Sequence, residues 1–413
     1  MRITTEDLRQ RLVPILLAQA FGLVCGVIGV RLTSRWVDPA DYGNYGIFAS
    51  LASIGVSVVY AGLVRFVSRH WRETVERPAF VREILEATLR KAPWLLAACA
   101  GAALVAAPQK KILFGLLLFL SALLLAFTQL IQSALQAARE HWRDLGINGG
   151  VSVTRSFMPP LFYRFTGAGL SALLAGFVVQ AAAGAVIGAW AMRRWWQPAG
   201  DAPARRILTP VYDGPRFVIL AAAGWILAGL NRWLVAWRFG TEMAGYFTLA
   251  GNIGMILPTM VGMVILQYFQ PQWFAIGTDE AACRQLLRQV DRAAAIYTVL
   301  AVGLTVALQM GMPLLVGPLI NERYLPASSF VLMTGLATTT LIVGVYYHSL
   351  LLAAKRERAC TAADLSGAAC LIAGSVAGAC LGLAWFKGWL VLSPVVPWLI
   401  NRTLAKRALL ARV

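Results

Sequence analysis

Residues 112–135 read ILFGLLLFLSALLLAFTQLIQSAL, twenty-four positions without a single charge. A helix needs about 20 apolar residues to cross the hydrocarbon core of a bilayer. Only structures that satisfy every backbone polar group internally survive there, so an uncharged run of this length reads as a membrane helix. The rest of the chain agrees: of 413 residues 59% are hydrophobic and 14% charged, with a mean hydropathy of +0.66. Soluble domains carry about 25% charged residues.

Working outward from that run, eleven further apolar stretches emerge, separated by short connectors. The expected spans are Leu12 to Leu32, Tyr42 to Val64, Ala92 to Ala107, Ile112 to Leu135, Leu145 to Tyr163, Gly167 to Ala191, Arg216 to Arg238, Gly245 to Gln267, Ala293 to Val316, Ser329 to Ala353, Thr361 to Phe386 and Gly388 to Asn401. The fold class is therefore an all-α polytopic membrane protein with about 12 transmembrane helices in two six-helix lobes, residues 1–206 and 207–413. Arg9 and Arg11 ahead of an apolar run, with Ala18-Gln19-Ala20, imitate a signal peptide. Apolar sequence continues to Leu32, however, which favours a first membrane helix.

The formal net charge of +18 would suit a nucleic-acid binder, but the bases lie in connectors. Counted on alternate sides of the twelve spans, Lys and Arg divide 27 to 8, with Arg155 and Arg232 inside spans. Positive-inside topology accounts for that bias, places both termini in the cytoplasm, and leaves no nucleic-acid partner expected. Trp36, Trp94, Trp142, Trp195, Trp237 and Trp389 sit at span ends, as interfacial anchors do.

The two halves echo each other. At an offset of 202, Gly43 pairs with Gly245, Tyr45 with Phe247, Ile54 with Ile256, Phe66 with Tyr268, Trp71 with Trp273 and Arg82 with Arg284. Further on, Ser133 to Arg139 echoes Ser349 to Lys355 at an offset of 216, the difference falling in a longer outer loop around Asn321 to Ser328. Six helices per half is an even number, so duplicated halves would share one orientation, about an axis along the membrane normal.

Catalytic signatures are missing. Only His70, His141 and His348 occur, scattered along the chain, and no P-loop or nucleophile elbow appears. No enzyme activity and no cofactor is expected. The six cysteines read as free thiols, Cys283 and Cys360 in basic connectors and the others in apolar spans. All nineteen acids lie in connectors or near span ends, Asp213, Asp291 and Asp364 coming closest to the membrane. An ion-coupled transporter usually keeps a carboxylate near the midplane.

Two arginines stand inside spans, where each costs about 2.5–3.5 kcal/mol on insertion scales. Arg155 lies mid-span ahead of the helix-breaking pair Pro159-Pro160, and Arg232 about two turns from an outer end. Such arginines either snorkel to the interface or line an aqueous cavity as fixed positive charges for an anionic substrate. A guanidinium suits phosphate because its planar fork donates two hydrogen bonds. Gln129, Gln132 and Gln136 share one helical face, as interhelical glue or as lumen lining. Asn252 and Thr259 form a weaker stripe beside Pro258, and Gly374, Gly378 and Gly382 repeat as a close-packing face. The connectors Arg65 to Lys91 and Gln270 to Arg292 have apolar residues at helical spacing, suggesting amphipathic helices on the cytoplasmic leaflet.

The run Arg31-Leu-Thr-Ser-Arg-Trp-Val-Asp-Pro-Ala-Asp-Tyr-Gly-Asn-Tyr45 resembles the polysaccharide-transport family, the Wzx-type O-antigen and capsule flippases of the MATE-like multidrug/oligosaccharidyl-lipid/polysaccharide (MOP) superfamily. Pro39, Tyr42, Gly43 and Tyr45 fit the outer turn of that family, while Val37-Asp38 replaces its Leu-Gly. Asn231-Arg232, Gly240 and Gly245-Tyr246-Phe247 look like the equivalent turn of the second half, with Asn231 where relatives often have Asp. The resemblance implies a twelve-helix, two-lobed inner-membrane flippase that moves a polyprenyl-pyrophosphate-linked oligosaccharide by alternating access. It implies as partners the lipid-linked oligosaccharide, membrane lipids and a polysaccharide polymerase or export machinery. Candidate substrate-binding residues are then Arg155, Arg232, Gln129, Gln132, Gln136, Asn231 and Asn252. Rival readings are a MATE-like exporter of a drug or metabolite, and a membrane glycosyltransferase or polymerase.

Overall fold

The uncharged run 112–135 forms the body of one long helix, Lys111–Ala137, in a computed structural model that describes residues 12–71, 77–106, 111–138, 140–195, 215–273, 280–353 and 357–410. In chain order the helices are α1 Val13–Trp36, α2 Pro39–His70, α3 Arg77–Ala106, α4 Lys111–Ala137, α5 His141–Thr166, α6 Leu170–Ala191, α7 Pro215–Phe239, α8 Thr241–Gly254, α9 Ile256–Trp273, α10 Glu280–Leu315, α11 Ser328–Ala353, α12 Glu357–Leu381, α13 Leu383–Leu392 and α14 Val395–Leu410. Among the described residues there is no strand, only an isolated bridge between Val316 and Ile320. Eight helical segments among the described residues are long and apolar enough to cross a membrane, and the bent pair α8–α9 makes a ninth if taken as one span. The more polar α3, α5 and α7 coincide with the remaining expected spans. Large apolar side chains on these helices stay open to the surroundings, among them Ile112, Val299, Met310 and Leu314. The chain is a multi-pass, all-α membrane protein.

The chain folds into two compact units, residues 1–25 with 47–225 and residues 26–46 with 226–413. The first part of α1 and the greater part of α2 thus belong to unit 1, whereas the turn between them belongs to unit 2. The lobe boundary expected at residue 206 lies outside the described residues.

In unit 1, Phe48 of α2 meets Phe114 of α4 and Phe177 of α6 edge-on, at centroid distances of 5.1 and 5.7 Å. Trp71, just past α2, packs on Phe80 of α3 and, at 4.7 Å, on Trp195. Trp195 is therefore a buried core residue and not the interfacial anchor its position suggests, while Trp94, Trp142 and Trp237 are exposed. The stretch expected as a separate surface helix is instead a continuous extension of α3. Its apolar face, Phe80, Val81, Ile84 and Ala87, is buried in protein, and Arg82, Glu86 and Arg90 pair with one another on the exposed face. The same holds in unit 2, where α10 runs unbroken from Glu280 and buries Cys283, Leu286 and Val290 against Tyr346, Tyr347 and Cys360. Cys283 and Cys360, expected in connectors, are thus core residues; all six cysteines are free thiols. Period alone cannot tell a face that meets lipid from one that meets protein.

The proline pair does not break α5, which continues to Thr166. Pro159 and Pro160 are buried, and Gly176 of α6 lets the two backbones close in: a Cβ there would stand 2.5 Å from Pro159 Cα. Tertiary packing outweighs the local helix-breaking tendency. In unit 2, α8 and α9 bend by 45° at Met255. Pro258 supplies the cause, having no N–H to give to the Gly254 carbonyl four residues back. Its own carbonyl accepts from Tyr297 Oη at 3.2 Å. Of the expected glycine stripe, Gly374 and Gly378 pack against Trp389 and Phe386 of α13. Gly382, at φ 120°, instead turns the chain between α12 and α13, a backbone region that a Cβ disfavours. The eleventh span consequently stops at Leu381 and not at Phe386.

Candidate functional site

The turn that carries the family resemblance is a packing device within unit 2. Asp38 Oδ1 accepts from the Ala40 N–H at 2.9 Å, so Asp38 caps α2 and Pro39 takes the first helical position, where a missing N–H costs nothing. Four residues on, Gly43 meets α8 so closely that a Cβ would stand 2.9 Å from the Gly245 nitrogen. A Cβ on Gly245 would in turn stand 2.7 Å from the Pro39 carbonyl carbon. Tyr42 Oη accepts from Asn252 Nδ2 at 2.6 Å and its ring stacks on Tyr45. The longer loop before α11 closes over this turn: Tyr324 is buried with Oη donating to the Val37 carbonyl at 3.1 Å, and Arg323 Nε donates to the Ser34 carbonyl at 3.0 Å.

In unit 1 the three glutamines do share a face of α4. Gln132 Nε2 donates to Asn148 Oδ1 at 2.8 Å, and Gln136 Nε2 to Asp144 Oδ2 at 3.2 Å, so both tie α4 to α5. Gln129 and Gln136 remain exposed. The partners Asp144 and Asn148 were not among the candidates, although their spacing of four, matching that of Gln132 and Gln136, was the available signal. Asp144 precedes the fifth expected span by one residue and is 6% exposed. Burial pushes its carboxyl up to about 6, against the lowering pull of the Gln136 and Asn148 side chains.

The polar side of α5 continues from Asn148 through Ser152 to Arg155, at spacings of four and three. Ser152 faces Gly22 of α1, its Oγ 3.6 Å from where a Cβ on Gly22 would stand. Arg155 is exposed, and no hydrogen bond or ion pair among the described residues engages it. The other candidates belong to unit 2. Asn231 is buried and its Oδ1 accepts from Ser375 Oγ of α12 at 3.0 Å, a helix-to-helix link. Arg232 is half-buried and partnered. Asn252, as above, is held by Tyr42. At the other end of unit 2, Asp291 of α10 accepts from Tyr347 and lies 3.4 Å from Arg402 Nε of α14, while His348 of α11 pairs with Asp364 of α12.

This architecture is that of the MATE transporters of the MOP superfamily. An outward-facing multidrug resistance MATE family transporter of that superfamily superposes with a TM-score of 0.65 at 13% identity, covering 98% of this chain and 96% of that one. The MATE multidrug transporter DinF-BH gives 0.66 at 14%, covering 98% and 97%. A MOP superfamily transporter from Pyrococcus furiosus, described by a reverse polarity of its binding pocket that suggests a different function, gives 0.61 at 14%, covering 98% and 96%. Residues 32–329 match the profile of the polysaccharide biosynthesis protein family, and the chain belongs to that family. No curated protein matches the sequence.

Proposed function

We propose that this protein flips a polyprenyl-pyrophosphate-linked oligosaccharide, a repeat unit of O-antigen, capsule or exopolysaccharide, across the bacterial inner membrane by alternating access, with both termini cytoplasmic. Membership of a polysaccharide biosynthesis family supports the sugar, and a fold shared with transporters supports translocation. One observation carries the substrate class: Arg155, an exposed guanidinium halfway along α5 that no hydrogen bond or ion pair among the described residues engages, on the stripe that holds Ser152 and Asn148.

A cation at membrane depth without a counter-ion is costly and is kept where it meets an anion in an aqueous path. The pyrophosphate is that anion, received by the two-pronged donor geometry of guanidinium. Gln129 and the outward parts of Gln132 and Gln136 extend the polar surface along α4, where sugar hydroxyls would find amide partners. Arg232 is a second, weaker candidate, and Asn231 and Asn252 act chiefly by positioning helices. A cationic drug would meet the wrong charge at Arg155. Binding of a short-chain polyprenyl pyrophosphate glycolipid to the purified protein tests the reading. Arg155→Ala should weaken binding by about tenfold or more and Arg155→Lys less, because an ammonium lacks the fork. Equal affinity in all three proteins would overturn the assignment.

A further inference from the structure

Arg284, Arg288 and Arg292 recur every four residues on the exposed side of α10, and the offset of 202 aligns them with Arg82, Glu86 and Arg90 of α3. In α3 the middle residue is an acid. The Glu86 carboxylate lies 3.1 Å from Arg82 Nε and 3.4 Å from Arg90 Nη2, so one acid serves both bases. In α10 the middle residue is a third base, and no hydrogen bond or ion pair among the described residues engages Arg288 or Arg292.

A second helix of unit 2 brings further bases to the same place. Gly335 of α11 meets Thr305 of α10 and Tyr347 meets Asp291, so α10 runs against α11. Gly344 meets Trp398 of α14, and Asp291 holds both Tyr347 and Arg402, so α14 runs with α11 and against α10. With Asp291 opposite Arg402, Lys406 one turn on stands level with Arg288. Lys406 is half-buried and Arg407 exposed, and neither is engaged by a described group. Asp291, the acid at this seam, is already shared between Tyr347 and Arg402. Arg288, Arg292 and Lys406 thus stand together without a counter-ion among the described residues, and like charges side by side repel.

The membrane supplies the missing anion. By helical period the arginines lie on the same side of α10 as Ile296, Val299, Met310 and Leu314, large apolar residues left open to the surroundings. With 36 residues, α10 is about 54 Å long against a hydrocarbon core of about 30 Å. The stretch from Ile296 to Leu315 is enough to cover that core, which leaves Arg292 about 6 Å and Arg288 about 12 Å beyond it, in the headgroup layer and at its edge. We propose that the seam of α10 and α14 binds the phosphate headgroup of an anionic phospholipid through Arg288, Arg292 and Lys406. The guanidinium forks suit phosphate oxygens, and the lipid chains continue along Ile296 and Val299. A lipid fits this place better than a soluble phosphate does, because the basic patch and the apolar face are one continuous surface. The first half, with Glu86 at the equivalent position, has no such demand for an outside anion.

Native mass spectrometry of the full-length protein in neutral detergent can count bound phosphatidylglycerol against phosphatidylcholine of the same chains. Wild type should retain phosphatidylglycerol in preference. Arg288→Glu restores the base-acid-base pattern of the first half and should weaken phosphatidylglycerol binding by about tenfold or more, with phosphatidylcholine unaffected. Arg292→Gln, at an exposed position, should weaken it by about fivefold and decides the matter should Arg288→Glu fail to fold. Inorganic phosphate at the lipid's own concentration should not displace it. Equal phosphatidylglycerol affinity in wild type and the folded variants would overturn the proposal, as would a wild type that does not prefer the anionic lipid. Displacement by inorganic phosphate would also overturn it and mark a site for soluble phosphate instead. None of these measurements uses a polyprenyl substrate or touches Arg155, so the outcome stands apart from the flippase reading.

Discussion

Gly43 of α2 and Gly245 of α8 stand 202 positions apart and pack against each other's helix reciprocally: Gly43 lies on Thr241 and Gly245 on Pro39, which are themselves 202 apart. Gly46 continues the pattern against Thr248, again 202 further on. Two segments 202 positions apart therefore cross each other at backbone contact, a glycine of each lying on the backbone of the other. The glycines of the family turn are there because a side chain would hold the helices apart.

Gly43→Ala should accordingly destabilise the protein. The clash is with backbone, which cannot rotate away, and overpacking of this kind costs about 1–3 kcal/mol. Thermal unfolding in detergent should show a lower Tm for Gly43→Ala and for Gly245→Ala. An unchanged Tm in both would mean that the crossing is open in solution.

Asp144 makes stability depend on pH. Its folded-state carboxyl is raised to about 6 from 3.8, so the folded protein holds the proton more tightly than the unfolded chain does. Its stabilising contribution is then fully present below pH 3.8 and is lost as the pH rises through about 6. At 1.36 kcal/mol per unit, the ionised form costs about 3 kcal/mol above that pH. Asp144→Asn keeps an acceptor for Gln136 and removes the charge, so it should raise Tm at about pH 7.5 and have little effect at about pH 4.5. A variant less stable than wild type at the higher pH would contradict this.

Topology is accessible to thiol chemistry. From the 27 to 8 division of Lys and Arg, the segments around Lys110 and Glu322 are expected on the outside. Single cysteines at either position, in a protein lacking its native thiols, should react with an impermeant reagent in intact cells. Protection of both would invert the orientation.

The membrane helices are legible in the sequence because hydropathy over about 20 residues is a one-dimensional signal. What a helix face touches is not. The amphipathic stretch at the start of α3 buries Ile84 against protein where lipid was expected, and Trp195 at a span end packs on Trp71. Spacing places Gln132 and Gln136 on one face of α4, but their partners on α5 depend on how two helices are rotated, which no single-helix period encodes. The pairing of His348 with Asp364 lies within reach of the sequence, since the offset of 216 aligns them with Gln132 and Asn148. It shows only when titratable residues are compared with the neutral pair they replace, and not when each is weighed alone.

The central claim concerns Arg155 and the movement of an anionic head group. A pyrophosphate moving outward from a negative cytoplasm travels down the field, gaining about 2.3 kcal/mol per charge per 100 mV. Protein reconstituted in liposomes with a pyrophosphate-linked glycolipid should flip it faster when a potential negative on the cytoplasmic side is imposed at constant pH and symmetric sodium, and Arg155→Ala should abolish the flipping. Flipping by Arg155→Ala at the wild-type rate, or no flipping by the wild-type protein, would contradict the account.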